Sequence, residues 1–137
     1  MRYIGDGQPW TDQRARAFVA RQMALFAERG CCLWKLVPKP GAQLIGFCGL
    51  QPLPETDEIE IGWWLARACW GRGLATEAAR AALRDGFARV GLRRIVAIAQ
   101  PANTASIHIM RKLGMQFERL TQSRGIPVEL HAIVGQI

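Results

Sequence analysis

Two glycines stand close together in CWGRGLATEA, residues 69–78, where Gly71 and Gly73 flank Arg72. A glycine inside a helix or strand costs about 0.5–1 kcal/mol relative to alanine, so this spacing favours a loop. A strand-like apolar run precedes the loop, and an alanine-rich run typical of a helix follows it. The first N–H groups of a helix lack helical partners, and the helix dipole is positive there. The stretch therefore predicts an anion-binding loop, to which Arg72 adds positive charge.

Two well-known phosphate-binding loops do not match this stretch. The nucleoside-triphosphate loop needs Gly-Lys-Ser or Gly-Lys-Thr after its glycines, and the sequence contains neither triplet. The dinucleotide-binding loop needs a third glycine or an alanine where GRGLAT has Thr76. It also needs an acidic residue about 20 residues later on a second strand, and the sequence has none there. Taken alone, the loop is equally compatible with an ordinary turn at the start of a helix.

A second motif, NTASIHIMRKLGM at residues 103–115, follows the next strand-like run. Together the two motifs resemble the GNAT superfamily of acetyl-coenzyme A-dependent N-acetyltransferases, and in particular the RimJ/RimL-like branch, which acetylates the N-termini of ribosomal and other proteins. That branch carries an x-x-G-x-G-x-A-T-E-A loop and an N-x-x-S element followed by a basic residue and LGF. The resemblance covers nearly the whole chain, and its matching residues are Gly71, Gly73, Ala75, Thr76, Glu77, Ala78, Asn103, Ser106 and Lys112.

The resemblance implies an α/β fold in which a mixed sheet, with two central parallel strands that splay apart, is flanked by helices. It implies one acetyltransferase-like domain over residues 1–137. It also implies that acetyl-coenzyme A is the co-substrate, and that its acetyl group passes to a primary amine by direct attack in a ternary complex. The amine would belong to a protein N-terminus or to a small molecule.

The same resemblance suggests where coenzyme A would bind. Its pyrophosphate would lie on the backbone N–H groups of residues 71–76, and its pantetheine arm between strands 58–65 and 94–99. Asn103 would bond to the cofactor, and Arg111 or Lys112 would meet its phosphates. The full set of expected cofactor-binding residues is Trp63, Trp64, Leu65, Gly71, Arg72, Gly73, Leu74, Ala75, Thr76, Asn103, Arg111 and Lys112.

Glu60 and Ser106 are the candidate catalytic residues. An α-amine has a pKa of about 8, so it needs only modest help from a base such as Glu60 acting through water. Many superfamily members protonate the departing thiolate with a tyrosine, but Tyr3 is the single tyrosine and lies far from the second motif. The resembling branch uses a serine, which corresponds to Ser106. The alternatives are that Glu60 is a solvated strand carboxylate beside Glu58, and that Ser106 caps a helix or bonds to the cofactor.

Other polar and aromatic side chains are weaker candidates. His131 shares a face of the last strand with Glu129, so it either lines the acceptor site or packs in the core. His108 is expected at the surface. Trp64 shares the face of Glu60 and is a candidate wall of the acceptor cleft, while the tryptophans in general are expected to be core residues.

The sequence departs from the family pattern at two places. Trp70 stands where the loop usually begins with Gln or Arg, although the related branch accepts tryptophan. The family also has a strand and a helix ahead of the MRYIG segment, which here begins at Met1. We therefore expect a sheet without that edge strand, part of the acceptor wall missing, and an exposed edge near strand 32–37. Such an edge invites pairing with a second copy or another chain.

Hydrophobic spacing identifies the elements that must position these motifs. Residues 11–29 have apolar positions at helical intervals after a capping Thr11 or Asp12, and Gly30 ends the helix. CCLWKLV and AQLIGFCGLQPL predict a hairpin around PKPG, and ETDEIEIGWWLA alternates as a third strand. A helix over 74–90, a strand over 92–100 and a short helix over 103–114 follow. MQFERLTQ and PVELHAIVG predict a closing hairpin.

The 137 residues, half of them hydrophobic, suit one domain with a real core. No apolar run reaches the roughly eighteen residues of a membrane span. The first residues lack the basic-then-apolar pattern of a signal peptide, which predicts a cytoplasmic protein. Four cysteines, Cys31, Cys32, Cys48 and Cys69, show no ligand spacing, so we expect buried free thiols and no metal.

The net charge of +7 is concentrated in the second half of the chain. Residues 1–60 contain seven basic and seven acidic side chains, whereas residues 61–137 contain eleven and four. This excess favours an anionic partner, such as a polyanionic cofactor, over a basic face that only aids solubility. Nucleic-acid binding is an alternative, but the arginines are scattered and no known binding motif is present. A coenzyme A-binding module without catalysis is the other alternative.

Overall fold

The computed structural model describes residues 11–36, 45–66, 69 and 71–135. The turn expected at 37–40 and the positions of Tyr3 and Trp70 lie outside the described residues. The described elements are α1 Asp12–Arg29, β1 Leu33–Leu36, β2 Gly46–Pro52, β3 Ile59–Leu65, α2 Leu74–Asp85, β4 Arg94–Ala99, α3 Thr104–Lys112, β5 Gln116–Ser123 and β6 Ile126–Val134. None of these helices is long and apolar enough to cross a membrane.

Local chemistry sets the ends of the first two helices. Thr11 caps α1 by accepting the N–H three residues later at 3.1 Å, and Gly30 ends the helix with a φ of 77°. Both ends of α1 are therefore those the sequence predicts. The helix expected over 74–90 instead changes its hydrogen bonding after Asp85, because Gly86–Val90 form a π-helical turn.

The strands form one mixed sheet in the order β1-β2-β3-β4-β6-β5, with β1 and β5 at its edges. The pairings are antiparallel except that between β3 and β4, which is parallel. The hairpin predicted for the last two strands is present, with a register irregularity between Phe117 and Arg119. The α/β class predicted from the sequence is confirmed.

Side-chain alternation divides the sheet into two faces. The helix face packs against α2 and α3, and the core there includes Cys48, Ile61, Ala79, Leu83, Ile95, Ile107 and Met110. The opposite face, which we call the α1 face, buries Leu53, Val96, Leu130 and Ala132. Phe18 of α1 meets Phe47 on this second face, with ring centroids 5.4 Å apart. The two central strands are thus fixed from both sides.

The cysteines are free thiols, as predicted. Cys31, Cys32 and Cys48 are buried, whereas Cys69 is half-buried. Burial raises the pKa of Cys48 to about 12. Because the thiolate is the reactive form, Cys48 is unreactive at neutral pH and acts as a packing residue.

Candidate active site

The parallel strands β3 and β4 have their carboxyl ends at the same end of the sheet, and α2 and α3 begin there. One register pair, Glu60 with Val96, joins the two strands, and no further pairing beyond it joins them among the described residues. The two strands therefore separate toward their carboxyl ends, where both helices start. Open α/β sheets bind ligands in the crevice at the carboxyl ends of their strands. This gap between β3 and β4 is the natural place for a site.

The glycine loop, residues 71–73, leads directly into α2. Gly71 and Gly73 have φ angles of 80° and 73°, in the left-handed region that glycine adopts without strain. A Cβ built on either glycine meets nothing within 4 Å, so the space beside the loop is open. The helix start has no side-chain cap, and its first helical hydrogen bond joins the Glu77 N–H to the Gly73 carbonyl at 3.0 Å. The N–H groups of residues 74–76 precede that bond and are available to an anion.

A groove of about 520 Å³ adjoins the loop, and we call it the basic groove. Its lining consists of Gly73, Thr76, Glu77, Arg80, Arg84 and Lys112. Three cations therefore face one carboxylate. The Arg80 guanidinium donates to the Lys112 carbonyl at 3.3 Å, which joins α2 to α3 across the groove. The predicted phosphate-binding residues Arg72, Arg111 and Lys112 are all exposed, and of these Lys112 lines the groove whereas Arg72 and Arg111 lie on the adjoining loop and helix.

Arg80 and Arg84 are groove residues that the sequence analysis missed. They follow Thr76 at successive intervals of four residues, which is the spacing of one face of a helix. That spacing could have identified them once α2 was predicted. In the same turn Ala75 and Thr76 are buried and Leu74 is half-buried, so these residues contribute backbone N–H groups more than side chains.

Asn103, Ser106 and Trp63 form one cluster at the start of α3. The Asn103 Oδ1 caps the helix by accepting the Ser106 N–H at 3.2 Å, which leaves the side-chain amide to donate elsewhere. The Trp63 indole N–H donates to the Ser106 Oγ at 3.3 Å. Because an indole nitrogen can only donate, the hydroxyl proton of Ser106 remains free for another acceptor.

Glu60 lies on the α1 face, where its backbone pairs with Val96. Its Oε1 accepts a hydrogen bond from Gln51 Nε2 at 3.0 Å. Burial raises the pKa of the Glu60 carboxyl, and the Gln51 hydrogen bond and the charge of Arg124 oppose that rise. A carboxylate with a raised pKa is a stronger base than an ordinary glutamate, which suits it to a role in proton transfer. Glu60 and Ser106 lie on opposite faces of the sheet, with the gap between the strands separating them.

The two adjacent tryptophans of β3 point to opposite faces. Trp63 packs against the core of the helix face. Trp64 lies on the α1 face beside Phe47, with ring centroids 6.1 Å apart, and so shares the face of Glu60 as predicted. Leu65, the last residue of β3, is buried. The predicted cofactor residues of β3 therefore line both sides of the sheet.

An ion-pair network joins the amino-terminal ends of β3 and β4, opposite the ends at which the two strands separate. Arg94, at the start of β4, bonds to Glu58 at 3.0 Å and to Glu118 at 2.8 Å. The hydrogen bond with Arg94 holds the pKa of the Glu118 carboxyl below its usual range. Glu58, which precedes β3, is therefore committed to an ion pair, unlike Glu60. The network joins β3, β4 and β5 where the parallel strands meet.

His131 is packed in the core on the helix face, with only 2% of its surface exposed. Its Nε2 lies 3.1 Å from Glu129 Oε1, and its ring meets Phe117 at 5.6 Å. Its Nδ1 has no hydrogen-bond partner among the described residues. The packing interpretation of His131 thus fits better than a place in an open cleft, and His108 is exposed as expected.

Comparison with known families identifies the domain. A family profile described as the acetyltransferase (GNAT) domain matches residues 1–116. The chain belongs to the GNAT acetyltransferase family. The family resemblance predicted from the two motifs is confirmed, and the glycine loop, the α3 motif up to Met115 and the intervening strand all fall within the match.

Relatives and solved structures agree with this membership. The chain is 34% identical over 114 residues to the uncharacterized N-acetyltransferase p20 of Bacillus licheniformis, a match that covers 82% of this chain and 64% of p20. An acetyltransferase of the GNAT family from Bacillus anthracis superposes with a TM-score of 0.77 at 28% identity, covering 96% of this chain and 79% of that one.

A third similarity concerns the fold alone. Mycobacterium smegmatis RimJ, solved in complex with CoA-disulfide, superposes with a TM-score of 0.73 at 22% identity, covering 89% of this chain and 61% of that one. This GNAT chain thus spans less than two thirds of the length of p20 and of RimJ.

Proposed function

We propose that this GNAT domain transfers the acetyl group of acetyl-coenzyme A to a primary amine, on a protein N-terminus or a small molecule, by direct attack in a ternary complex. One observation carries the proposal. The glycine loop and basic groove lie at the edge where β3 and β4 separate, and Glu60 and Ser106 flank the gap from opposite faces. The arrangement supplies an anion site, a proton acceptor and a hydrogen-bond donor around one crevice.

The glycine loop and the basic groove fit a polyanionic co-substrate. The open space beside Gly71 and Gly73 allows a phosphate to approach the backbone closely, and the N–H groups of residues 74–76 can donate to it. Arg80, Arg84 and Lys112 add positive charge on one side of the loop. The complex of M. smegmatis RimJ with CoA-disulfide supports coenzyme A as the ligand of this fold.

The chain's own side chains can manage the protons of the reaction. Acetyl-coenzyme A supplies an activated thioester, and an amine attacks it only when its nitrogen is unprotonated. Glu60 takes the proton from the amine, directly or through water, because burial raises its pKa and makes it a stronger base than an exposed glutamate. Ser106 donates a hydrogen bond from its hydroxyl to the departing thiolate, since the Trp63 indole N–H already donates to its oxygen, and the thiolate takes its proton from solvent. Positioning of the two substrates supplies much of the remaining rate.

Turnover of acetyl-coenzyme A with a panel of primary amines, including peptides with free N-termini, tests the proposal. Release of free thiol that depends on the amine supports the transferase. Thermal stabilisation by acetyl-coenzyme A without turnover on any amine would instead indicate a coenzyme A-binding module. A salt-dependent gel shift with no response to acetyl-coenzyme A would indicate a nucleic-acid-binding protein.

Glu60→Gln tests the role of the base. The variant keeps the shape of the side chain but cannot accept a proton, so we expect turnover to fall about 10²–10⁴-fold with cofactor affinity nearly unchanged. The loss should shrink as the pH rises, because the amine then loses its proton unaided. Glu28→Gln, an exposed substitution on α1, is the matched control. Wild-type turnover of Glu60→Gln below neutral pH would show that the carboxylate takes no part.

A further inference from the structure

Glu60 stands at one end of a row of side-chain amides that runs from α1 to β3. Gln22 Nε2 of α1 donates to Gln51 Oε1 of β2 at 3.4 Å, and Gln51 Nε2 donates to Glu60 Oε1 at 3.0 Å. Gln22 is 5% exposed although it belongs to a helix whose other described residues are half-buried or exposed. We call Gln22, Gln51 and Glu60 the amide relay. A buried glutamine side chain needs hydrogen-bond partners for its amide group, and the amide relay supplies them.

Both ends of the amide relay fix the direction of its hydrogen bonds. Gln22 Oε1 accepts the Leu33 N–H at 2.8 Å, and a backbone N–H can only donate. The amide nitrogen of Gln22 must therefore face Gln51, and the side-chain oxygen of Gln51 accepts its hydrogen bond. The amide nitrogen of Gln51 is then directed at Glu60, whose ionised carboxylate can only accept. Each amide has one orientation that satisfies both neighbours.

We propose that the amide relay is a positioning device that keeps Oε1 of Glu60 as a hydrogen-bond acceptor and so directs the proton of the amine to Oε2. If Glu60 Oε1 carried a proton, its O–H and the Gln51 N–H would be two donors facing each other. Gln51 cannot turn its oxygen toward Glu60 instead, because its N–H would then face the N–H donor of Gln22. In the transfer, an amine N–H bond breaks and an O–H bond forms at Oε2. The electron pair stays on nitrogen for attack on the thioester carbon. The proposal rests on the proposed function of Glu60.

The charged surroundings of Glu60 are consistent with this assignment. Arg124, in the turn between β5 and β6, lowers the pKa of Glu60 through its charge. Glu58 shares the face of Glu60 but is held in an ion pair by Arg94. The amide of Gln51, which contacts Glu60, and the amide of Gln22, which contacts Gln51, are neutral. Gln51 is therefore the group whose hydrogen bond sets the orientation of the carboxylate without adding charge.

Gln51→Met removes the hydrogen bond at similar side-chain volume, and two measurements follow its effect. The first is the pKa of the Glu60 carboxyl in the free protein, from a carbon-13 NMR titration assigned with Glu60→Gln. We expect that pKa to rise, because the Gln51 hydrogen bond opposes the effect of burial. The second is the pH profile of kcat/KM for acetyl-coenzyme A and a peptide amine. We expect its acidic limb to move to higher pH, with a loss of about tenfold below neutral pH.

Two further variants guard against an unfolded or uninformative mutant. Gln122→Met makes the same substitution at an exposed position of β5, and we expect neither measurement to change. Gln51→Glu places a second carboxyl against Glu60, so the pair should share one proton and titrate at a higher pH than Glu60 does in the wild type. Dispersed amide spectra of all variants show that the fold is retained.

The two measurements separate the relay from the catalytic role. If Gln51→Met and Gln51→Glu both leave the titration of Glu60 unchanged in folded protein, the relay is overturned whatever the activity. If the titration moves but the pH profile of kcat/KM does not, Gln51 does orient Glu60 and the proposed base role fails instead. Movement of both, with Gln122→Met unchanged, supports the positioning role of the relay.

Discussion

Gly73→Ala tests the anion site most directly, because the structure separates its two expected effects. Gly73 has a φ of 73°, and a Cβ there meets no protein atom within 4 Å. The methyl group therefore causes no clash in the free protein, and the cost is that of a left-handed alanine, about 1–2 kcal/mol. The same methyl group projects into the space that a phosphate would occupy, so ligand binding should suffer separately.

The magnitude of the ligand effect follows from mass action. Acetyl-coenzyme A at 100 times its dissociation constant stabilises the wild type by about 2.7 kcal/mol. Loss of two charge-assisted hydrogen bonds from the loop, at about 1.5 kcal/mol each, weakens binding roughly 100-fold. At the same ligand concentration the stabilisation of Gly73→Ala then falls to about 0.4 kcal/mol. Thermal melts of both proteins with and without acetyl-coenzyme A measure this difference.

Gly91→Ala provides the matched control. Gly91 has a φ of 81°, and a Cβ there also meets nothing within 4 Å, but it lies after the π-helical turn and outside the basic groove. We expect a similar loss of stability without ligand and a full response to acetyl-coenzyme A. If Gly73→Ala also keeps the full response, the glycine loop is an ordinary helix-start turn and the assignment of the anion site is wrong.

Three further predictions concern the donor, the ion-pair network and the sheet edge. Ser106→Ala should lower turnover at every pH, because the departing thiolate loses its hydrogen-bond donor whether or not the amine is protonated; turnover equal to that of the wild type across the pH range would remove Ser106 from the mechanism. Glu118 has a lowered pKa in the folded protein, so its stabilising contribution is present above its ordinary pKa and is lost as the pH falls toward the lower folded pKa. Arg94→Met should therefore flatten the acid dependence of stability in urea unfolding, and an equally steep dependence in the variant would contradict the ion pair. Among the described residues β1 is an edge strand of the sheet, so we expect a homodimer that forms by strand pairing at β1; light scattering that finds a monodisperse monomer at high protein concentration would refute it.

Local sequence was sufficient wherever a few neighbouring residues set the geometry. The Thr11 cap and the Gly30 stop were readable because a cap depends on residues within one turn. The glycine loop was readable for the same reason, since Gly71 and Gly73 are needed where φ is positive. The family followed from these motifs and their separation along the chain.

The limits of local patterns are visible in the phosphate-binding side chains and in α2. The sequence offered Arg111 or Lys112, and only the packing of α3 against α2 makes Lys112 a lining residue of the basic groove. The π-helical turn Gly86–Val90 was also not predicted. Apolar spacing describes which side of a segment is buried, and it does not distinguish hydrogen bonds to the fourth residue from those to the fifth.

The sequence by itself determined the family and most of the elements, whereas the tertiary structure decided which groups hold the two catalytic candidates. Trp63 meets Ser106 across 43 residues of sequence, and Gln22 meets Gln51 across 29. Such pairs arise from the register of β2 against β3 and from the docking of α1 against β2 and of α3 against β3. Hydrogen bonds act over about 3 Å, so a contact between distant residues exists only once the whole sheet has fixed their positions. For that reason Gln51 and Gln22 carried no signal in the sequence.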